Sequence, residues 1–411
     1  MTVQTLEAMS CSTENDRPQP ANGRIAWLVN SLGYGDSLLY WAPILSRYVE
    51  EFPHTRFFTA VDGEKSIPKS EHVVERLASL HIPLGKRRFS YDRHFQLVSP
   101  TCLAHIDAWR PDVLVISEFT MPSVFATLYR SFRHTPILLL VESDPLRGNA
   151  NRLGWFKRRL RRFVANRVDW VLTNNAAGRR YVLENLPIPP QRILCRPYVV
   201  SEVTADEPHV DDVSPREQLG DQDKLVFLYV GQLIERKGIL QLIEAVANLD
   251  HSEWDKCRFW IVGDGQHRST IEQQIRRRGL ARIIRLLGRQ PYEKLGAFYR
   301  SADVFVMPTL DDYRALAGFE ALAHGMPLLQ SCYDGAANEI AHEGRNGCIV
   351  DPHNTTSLVN GIRWFVERED KLSSYGEYSY SLSRQFTVDV AVQSLAEATR
   401  RCLLLSNAWT S

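Results

Sequence analysis

Two acidic residues and an arginine around a predicted helix start are the side chains of this sequence best placed to do chemistry. Asp312, Arg314 and Glu320 lie in the stretch MPTLDDYRALAGFEALAHG, in which a polar loop leads into an Ala- and Leu-rich helix. An acidic pair around a helix N-terminus can bind sugar or ribose hydroxyls, while unpaired backbone N–H groups bind a phosphate. The alternative is an exposed loop aspartate and a solvated helix glutamate.

The elements around this stretch alternate between strand and helix. The strand DVFVMP, the polar loop, the helix, Gly325 and the strand MPLLQSC follow one another directly. This order is typical of the βαβ units of parallel sheets, in which ligands bind outside the carboxyl ends of the strands. The sequence therefore predicts that the loop carrying Asp312 faces a crevice at the edge of a parallel sheet.

The flanking motifs carry a family resemblance. FLYVGQLIERKG and IVGDGQ precede the central stretch, and SCYDGAANEIAHEGRNGCIVDP follows it. In this order and spacing they resemble the C-terminal half of the retaining glycosyltransferases of family 4, from Leu225 to Pro352 and more loosely in the N-terminal half. The resemblance implies an α/β protein with the GT-B fold, two Rossmann-like parallel-sheet domains facing each other across a cleft. Asp312 and Glu320 match the E-x7-E pair of that family, with Asp in place of the first Glu.

Lys237 is a candidate for binding a diphosphate. The strand KLVFLYVG ends at Gly231, and the loop QLIERK leads to Gly238 and an amphipathic helix. Unpaired N–H groups at the helix start and the ammonium of Lys237 would stabilise negative charge on a leaving diphosphate. Relatives usually carry Arg at the position of Gln232 and an aromatic residue at that of Arg314. We hypothesise that Arg314 supplies the missing positive charge or binds an acidic group on the sugar.

The resemblance implies a front-face displacement, in which the leaving phosphate helps to deprotonate the acceptor hydroxyl. Asp312 would hold sugar hydroxyls, Glu320 the ribose, and Lys237 with loop amides the diphosphate, so these three are the catalytic candidates. The donor would be a nucleotide-diphosphate sugar acting as co-substrate, and we expect neither a cofactor nor a metal site. The candidates for donor binding are Gly231, Gln232, Gly263, Arg314, Ala315 and Leu316.

Acceptor-side candidates lie at strand ends in the N-terminal half. Gly35 and Asp36 belong to a Gly-containing loop between the first predicted strand and a helix over about 37 to 51. Glu118 and Asp144 follow two further apolar strands. Relatives often have His-containing motifs at these two ends, and this sequence has none. Glu118 and Asp144 are therefore our substitutes, with a structural or capping role as the alternative.

The segment 155–167, WFKRRLRRFVANR, has six basic residues interleaved with aromatic and apolar ones. Such a helix can lie on an anionic membrane surface, and the alternative is a solvated face over an ordinary core stripe. A nucleic-acid partner is not expected, because no companion motif supports it. Many relatives act on lipid-linked acceptors. We therefore expect a carbohydrate or lipid-linked acceptor in surface polysaccharide or glycolipid synthesis, and a cytoplasmic location with peripheral membrane contact as an option.

Length and composition fit a two-domain protein. The 411 residues are 44% apolar, the net charge is +1, and the seven scattered cysteines form no C-x-x-C motif, which favours reduced thiols. No apolar run reaches the length of a membrane-spanning helix. A helix is predicted over about 70 to 80. The predicted divisions are a disordered leader (1–22), an acceptor-side domain (23–198), a linker (199–223), a donor domain (224–385) and a C-terminal helix (386–411) that crosses back to the first domain.

Two other classes of function stay open from the sequence. A GT-B nucleotide-sugar epimerase or hydrolase would need the same donor site but no carbohydrate acceptor. A non-catalytic scaffold partner would keep only the fold, and Asp312, Gln232 and the missing histidines favour it. The sequence does not specify the sugar, the nucleotide, the acceptor or the oligomeric state.

Overall fold

The computed structural model describes residues 23–29, 37–59, 74–83, 94–142, 154–201 and 214–410. These residues form two domains, each built on a parallel sheet with helices on its faces. The predicted α/β class with two Rossmann-like parallel-sheet domains is therefore confirmed. Apolar runs such as IAWLV (Ile25–Val29) and LVFLYV (Leu225–Val230) form central strands because helices cover both faces of a parallel sheet.

The N-terminal domain combines a parallel sheet with a separate hairpin. Its strands, in the described residues, are β1 (Ile25–Val29), β2 (Thr55–Thr59), β3 (Val74–Arg76), β4 (Ser79–Pro83), β5 (His94–Val98), β6 (Val113–Ser117), β7 (Ile137–Val141), β8 (Trp170–Thr173) and β9 (Ile193–Cys195). Its helices are α1 (Ser37–Glu51), α2 (Cys102–Trp109), α3 (Met121–Arg133), α4 (Gly154–Ala165) and α5 (Ala176–Asn185). The sheet order is β3-β2-β1-β6-β7-β8-β9, and β4 pairs with β5 in an antiparallel hairpin.

The C-terminal domain has a second parallel sheet. Its strands are β10 (Leu225–Val230), β11 (Cys257–Val262), β12 (Ile284–Gly288), β13 (Val304–Met307), β14 (Leu328–Ser331) and β15 (Gly347–Val350). The helices of this half are α6 (Pro215–Leu219), α7 (Ile239–Ala247), α8 (His251–Lys256), α9 (Arg268–Arg277), α10 (Tyr292–Ser301), α11 (Leu316–Ala323), α12 (Ala337–Ile340), α13 (Thr355–Val366), α14 (Leu372–Ser383) and α15 (Val388–Thr410). The order β12-β11-β10-β13-β14-β15 reverses direction between β10 and β13, where open α/β sheets bind ligands.

The prediction of a helix over about 70 to 80 is wrong in the described part of that segment. Val74–Arg76 is β3 and Ser79–Pro83 is β4. β3 extends the parallel sheet beside β2, and β4 pairs with β5. Pairing with neighbouring strands decides the conformation of a short segment that has no strong local preference.

Part of the segment predicted as linker packs on the C-terminal domain. Arg216 of α6 pairs with Asp303, the residue before β13. Asp221 is buried and accepts a hydrogen bond from Trp260 Nε1 at 2.9 Å. These contacts attach α6 and the turn after it to the second sheet, ahead of the boundary predicted at 224.

The last helix, α15, packs on the N-terminal domain. Tyr48 Oη of α1 lies 2.8 Å from Thr399 Oγ1, and Leu395 and Cys402 are buried in the core of that domain. The chain therefore returns to its first domain after completing the second. None of the described helices, α15 included, is long and apolar enough to cross a bilayer.

Candidate active site

Gly231 and Gly263 meet where β10 and β11 end. Gly263 has a φ of +141°, and a Cβ on it would lie 1.8 Å from the Gly231 carbonyl oxygen. Only glycine allows so close an approach of the two backbones. The structure therefore brings these two donor-binding candidates together at the carboxyl edge of the second sheet, while the Gln232 side chain beside them is exposed.

A 3-10 turn over Glu235–Lys237 carries the lysine predicted to bind the diphosphate. Gly238, which ends the turn, has a φ of +70°, and a Cβ there would lie 1.8 Å from the Pro308 carbonyl oxygen. The Arg236 carbonyl accepts a hydrogen bond from Leu310 N–H at 2.7 Å. The turn is therefore pressed against the loop that follows β13, and the lysine lies next to that loop.

Arg236, Lys237 and Asp312 form a buried group that we call the two-cation cluster. Lys237 Nζ lies 2.5 Å and Arg236 Nη1 2.8 Å from Asp312 Oδ2. The side chains of Arg236 and Asp312 are only 7% and 4% exposed. Burial by itself would raise the pKa of Asp312, but the charges of Lys237 and Arg236 outweigh burial and lower that pKa. The cluster therefore holds an ionised carboxylate between two positive charges at the carboxyl edge of the sheet.

Asp334, to which the sequence analysis gave no role, pairs with Asp312 in an isolated β-bridge after β14. Its Oδ1 accepts hydrogen bonds from Ala336 N–H (2.9 Å) and Ala315 N–H (3.3 Å), and Gln330 donates to its other oxygen. Burial and the charge of Asp312 raise the pKa of Asp334 to about 6. Asp334 therefore ties the loop carrying Asp312 and Ala315 to the turn that follows β14.

Glu320 lies on α11 and is held entirely by hydroxyl groups in the described structure. Tyr299 Oη donates to Oε2 at 2.6 Å, Ser201 Oγ donates to Oε1 at 2.7 Å, and Tyr292 Oη lies 3.5 Å from Oε1. Burial raises the pKa of Glu320, and these hydroxyls act in the opposite direction. Because Ser201 follows the last strand of the N-terminal domain, Glu320 faces the junction between the two domains.

Arg314 bridges the domains. Its Nη1 lies 2.7 Å from Glu339 Oε2, and its Nε donates to the Val199 carbonyl at 3.1 Å. Its guanidinium lies over the Phe319 ring, 4.2 Å from the ring centroid, and its side chain is 5% exposed. Leu316, two residues on, packs against the cores of both domains. The positive charge of Arg314 is therefore balanced by Glu339 at the domain junction.

Glu118 lies at the end of β6 beside Glu142, the residue after β7. Glu118 has a φ of +57°, uncommon for a residue with a side chain, and its Oε1 accepts Glu142 N–H at 2.7 Å. Burial and the Glu142 charge raise the pKa of Glu118 to about 8, while Arg314 opposes the rise that burial causes in Glu142. Of the two glutamates, Glu142 is the one whose pKa responds to the charge of Arg314, and the charge of Arg161 lowers that of Glu118. The remaining acceptor-side candidates lie outside the described residues: Gly35, Asp36 and Asp144.

Sequence reasoning missed several contributors to the site. Arg236 was overlooked because its neighbour Lys237 already matched a family motif. Tyr292 and Tyr299 are seven positions apart on α10, a spacing that places both on one helix face and could have indicated a shared partner. The signal available for Asp334 was its position directly before Gly335 in the turn.

The arrangement as a whole defines a class of protein. Two parallel-sheet domains meet with the two-cation cluster at the carboxyl edge of the second sheet, and the first domain contacts Arg314 and Glu320. This is the architecture of a GT-B protein. The family model described as "Glycosyl transferase 4-like domain" matches residues 49–198, and the model described as "Glycosyl transferases group 1" matches residues 211–382. The two matches together span most of the chain, which therefore belongs to the group 1 glycosyl transferases, as its motifs predicted.

Relatives with assigned names match part of the chain. An alpha-D-kanosaminyltransferase of Streptomyces kanamyceticus is 25% identical over 57% of this chain and 61% of its own. A D-inositol 3-phosphate glycosyltransferase of Corynebacterium aurimucosum is 27% identical over 56% of each chain. The chain thus spans little more than half the length of these relatives. Among solved structures, that of Anabaena HepE in complex with UDP has a TM-score of 0.73 at 17% identity, and the alignment covers 92% of this chain and all of the other.

Proposed function

We propose that this chain transfers a hexose-type sugar from a nucleotide-diphosphate sugar to a carbohydrate or lipid-linked acceptor, with retention of the anomeric configuration. The observation that carries this proposal is the two-cation cluster, a buried pair of positive charges at the strand ends where an α/β sheet binds ligands. The solved relative HepE contains UDP, and a further structure of it contains UDP-glucose, which supports a donor of this kind.

Lys237 binds the donor diphosphate in this proposal. An ammonium has three N–H donors, and the hydrogen bond to Asp312 occupies one of them, so the others can bind phosphate oxygens. Charge-assisted bonds in a buried site stabilise the negative charge that grows on the diphosphate as the glycosidic bond breaks. Since the protein itself supplies this positive charge, we propose that neither a metal ion nor another cofactor is needed.

Glu320 binds the ribose. Its carboxylate already accepts hydrogen bonds from hydroxyl groups, and two ribose hydroxyls offer the same chemistry. Donor binding would replace the contacts from Ser201 and Tyr292 and leave that from the buried Tyr299. We expect Gly231, Gly263, Ala315 and Leu316 to contact the donor through their backbone rather than their side chains.

Asp312 holds sugar hydroxyls and is a poor nucleophile. Two cations pair with it and lower its pKa, which reduces the reactivity of the carboxylate. A front-face displacement fits this better than a covalent intermediate of the kind that retaining glycosidases form. The bond between the anomeric carbon and the phosphate oxygen breaks, the acceptor oxygen bonds on the same face, and its proton passes to the leaving phosphate.

Glu118 binds the acceptor from the N-terminal side. With a pKa of about 8 it is mostly protonated at neutral pH, so it can donate a hydrogen bond to an acceptor oxygen. The face of α4 with Trp155 and neighbouring basic residues would place the protein on an anionic membrane, at the cytoplasmic side, for a lipid-linked acceptor of surface polysaccharide or glycolipid synthesis.

Labelled nucleotide-sugars, incubated with the protein with and without acceptor extracts, test the proposal. Transfer gives labelled product only with acceptor, whereas hydrolysis and epimerisation consume the donor without it. Nucleoside diphosphates should raise the thermal midpoint, and the absence of any response would favour a scaffold. Lys237→Ala should lower turnover about 10²- to 10³-fold. Unchanged turnover and donor affinity would contradict the role of Lys237.

A further inference from the structure

Position 232 carries a glutamine where the family resemblance implies an arginine, so in the proposed function a second positive charge for the donor diphosphate comes from another residue. Arg314 is already bound to Glu339 and to the Val199 carbonyl group. Arg236, four residues after Gln232, reaches the same carboxylate as Lys237.

We propose that Arg236 supplies the second positive charge of the donor diphosphate site. The inference rests on the proposed function and assigns to Arg236 the charge that position 232 lacks. In this inference the charge of Arg236 acts on the diphosphate while its Nη1 stays bonded to Asp312 Oδ2.

Both the backbone and the side chain of Arg236 fix its position. Its carbonyl accepts hydrogen bonds from Leu310 N–H and from Thr309 Oγ1 (2.9 Å), in the loop after β13. Its Nη1 donates to Asp312 Oδ2 and lies 3.3 Å from the Asp311 carbonyl oxygen. The guanidinium therefore cannot move without disturbing the loop that carries Asp312, which is what a preorganised charge requires.

The charges of the cluster favour an anionic ligand. Two cations share one carboxylate, which leaves one positive charge in excess in a buried place. Asp334, which pairs with Asp312 in the β-bridge, is an acid close to this excess. The negative charge of a bound diphosphate would raise the pKa of Asp334 further above the value of about 6 that burial and Asp312 give it, and so would favour its neutral form. Without Arg236, Lys237 and Asp312 would neutralise each other.

The departures from the family pattern at positions 232 and 312 are then linked through Arg236. Asp312 is one methylene shorter than the glutamate that the family resemblance implies, and its Oδ2 lies 2.8 Å from Arg236 Nη1. Arginine at 236 takes over the charge of position 232. Restoring arginine at 232 should therefore compensate for the loss of Arg236.

Binding of a nucleoside diphosphate and of its parent nucleoside tests the inference. The probe is whichever of UDP, GDP, ADP and dTDP stabilises the wild type most, and the comparison is its nucleoside. Arg236→Gln should weaken diphosphate binding about 10- to 100-fold and leave nucleoside binding unchanged. Adding Gln232→Arg to the Arg236→Gln variant should raise its affinity for the diphosphate at least tenfold. The matched control is Arg278→Gln, which removes an arginine paired with Glu244 elsewhere in the same domain.

The outcomes separate the inference from the proposed function. If the wild type binds none of the four nucleoside diphosphates, the proposed function fails and the inference with it. If the wild type binds and Arg236→Gln binds equally well, or loses diphosphate and nucleoside by the same factor, only the inference is overturned. Arg236→Lys, which keeps the charge, covers the case that the glutamine variant does not fold. It should lose about three- to tenfold for the diphosphate and nothing for the nucleoside, and equal losses would overturn the inference.

Discussion

Glu320 is surrounded by hydroxyl donors, and this sets its expected selectivity. A site built to accept hydroxyls discriminates against ligands that lack them, because its buried acceptor is then left unpaired. The wild type should bind the preferred nucleoside diphosphate about 10- to 100-fold more tightly than its 2′- and 3′-deoxy analogues. Glu320→Gln should lose most of this difference, measured by calorimetry. Exposed Glu343 of the same domain, changed to Gln, is the control, and a deoxy penalty that survives in Glu320→Gln would contradict the ribose role.

Glu118 makes the stability of the fold depend on pH. Its folded pKa of about 8 lies above the 4.5 of an ordinary glutamate, so its contribution is fully present below about pH 4.5 and is lost as the pH rises through about 8. We expect wild type to lose about 1–3 kcal/mol more than Glu118→Gln between pH 5 and pH 8.5. Urea unfolding at both pH values measures this, with Glu184→Gln on α5 as control. Parallel losses in wild type and Glu118→Gln would show that Glu118 does not titrate as described.

Single residues also show how far the sequence could lead. Lys237 and Asp312 could be expected near one another, because each follows a buried strand of the same parallel sheet at its carboxyl end. Their partners could not be predicted. Arg236 and Asp312 are 76 positions apart, and Arg314 and Val199 are 115 apart, so the packing of whole elements decides these contacts. The hypothesis that Arg314 replaces the arginine missing at position 232 could not take into account the ion pair between Arg314 and Glu339, because that contact forms only in the folded chain.

At the level of elements, long periodic patterns were predictable and short ones were not. The helix expected over about 37 to 51 is α1, Ser37–Glu51, and the two central strands were plain apolar runs. The strands β3 and β4 were mistaken for a helix because each is short and pairing with β2 and β5 sets its conformation. A three-residue strand has too few residues to show its period, so pairing and not pattern defines it.

Helix α4 carries the prediction about membranes. Trp155 is 59% exposed, Arg159 lies over its ring, and Arg158, Arg159 and Arg162 of the same helix are exposed. The protein should sediment with vesicles of phosphatidylglycerol and phosphatidylcholine but not with phosphatidylcholine alone, and salt should weaken binding. Changing the three arginines to Gln should lower partitioning about 100-fold, at roughly 1 kcal/mol per charge.

The matched control for α4 removes the same charge elsewhere. Exposed Arg276, Arg277 and Arg278 of the second domain, all changed to Gln, should leave vesicle binding unchanged. If both triple variants lose binding equally, the effect reflects net charge and not a surface on α4. If neither loses it, the basic face of α4 is an ordinary solvated face over the core.

At the scale of the whole molecule, a few contacts hold the first domain against the second. Ser201 and Val199 follow the first domain and bind Glu320 and Arg314 of the second, and α15 returns to pack on α1. The two-domain arrangement was predictable from motif order and length. The way in which the strand ends of the two sheets face each other was not predictable, because it depends on these few contacts across the junction.

The Arg314–Glu339 pair should behave as one unit. Removing either partner leaves a largely buried charge uncompensated, so Arg314→Ala and Glu339→Ala should each cost about 2–4 kcal/mol, and the double variant less than their sum. Urea unfolding of the four proteins measures the coupling. Additive losses would contradict the pairing. Coupling of Arg314→Ala with Gln232→Arg in donor affinity would instead support the hypothesis that Arg314 replaces the arginine missing at position 232.

A structure of this chain with its preferred nucleoside diphosphate bound tests the central claim most directly. The account predicts phosphate oxygens within hydrogen-bond distance of Lys237 Nζ, ribose hydroxyls on the Glu320 carboxylate, and Asp312 still paired with Arg236. A nucleotide bound away from the carboxyl edge of the second sheet, with Lys237 and Glu320 untouched, would contradict it.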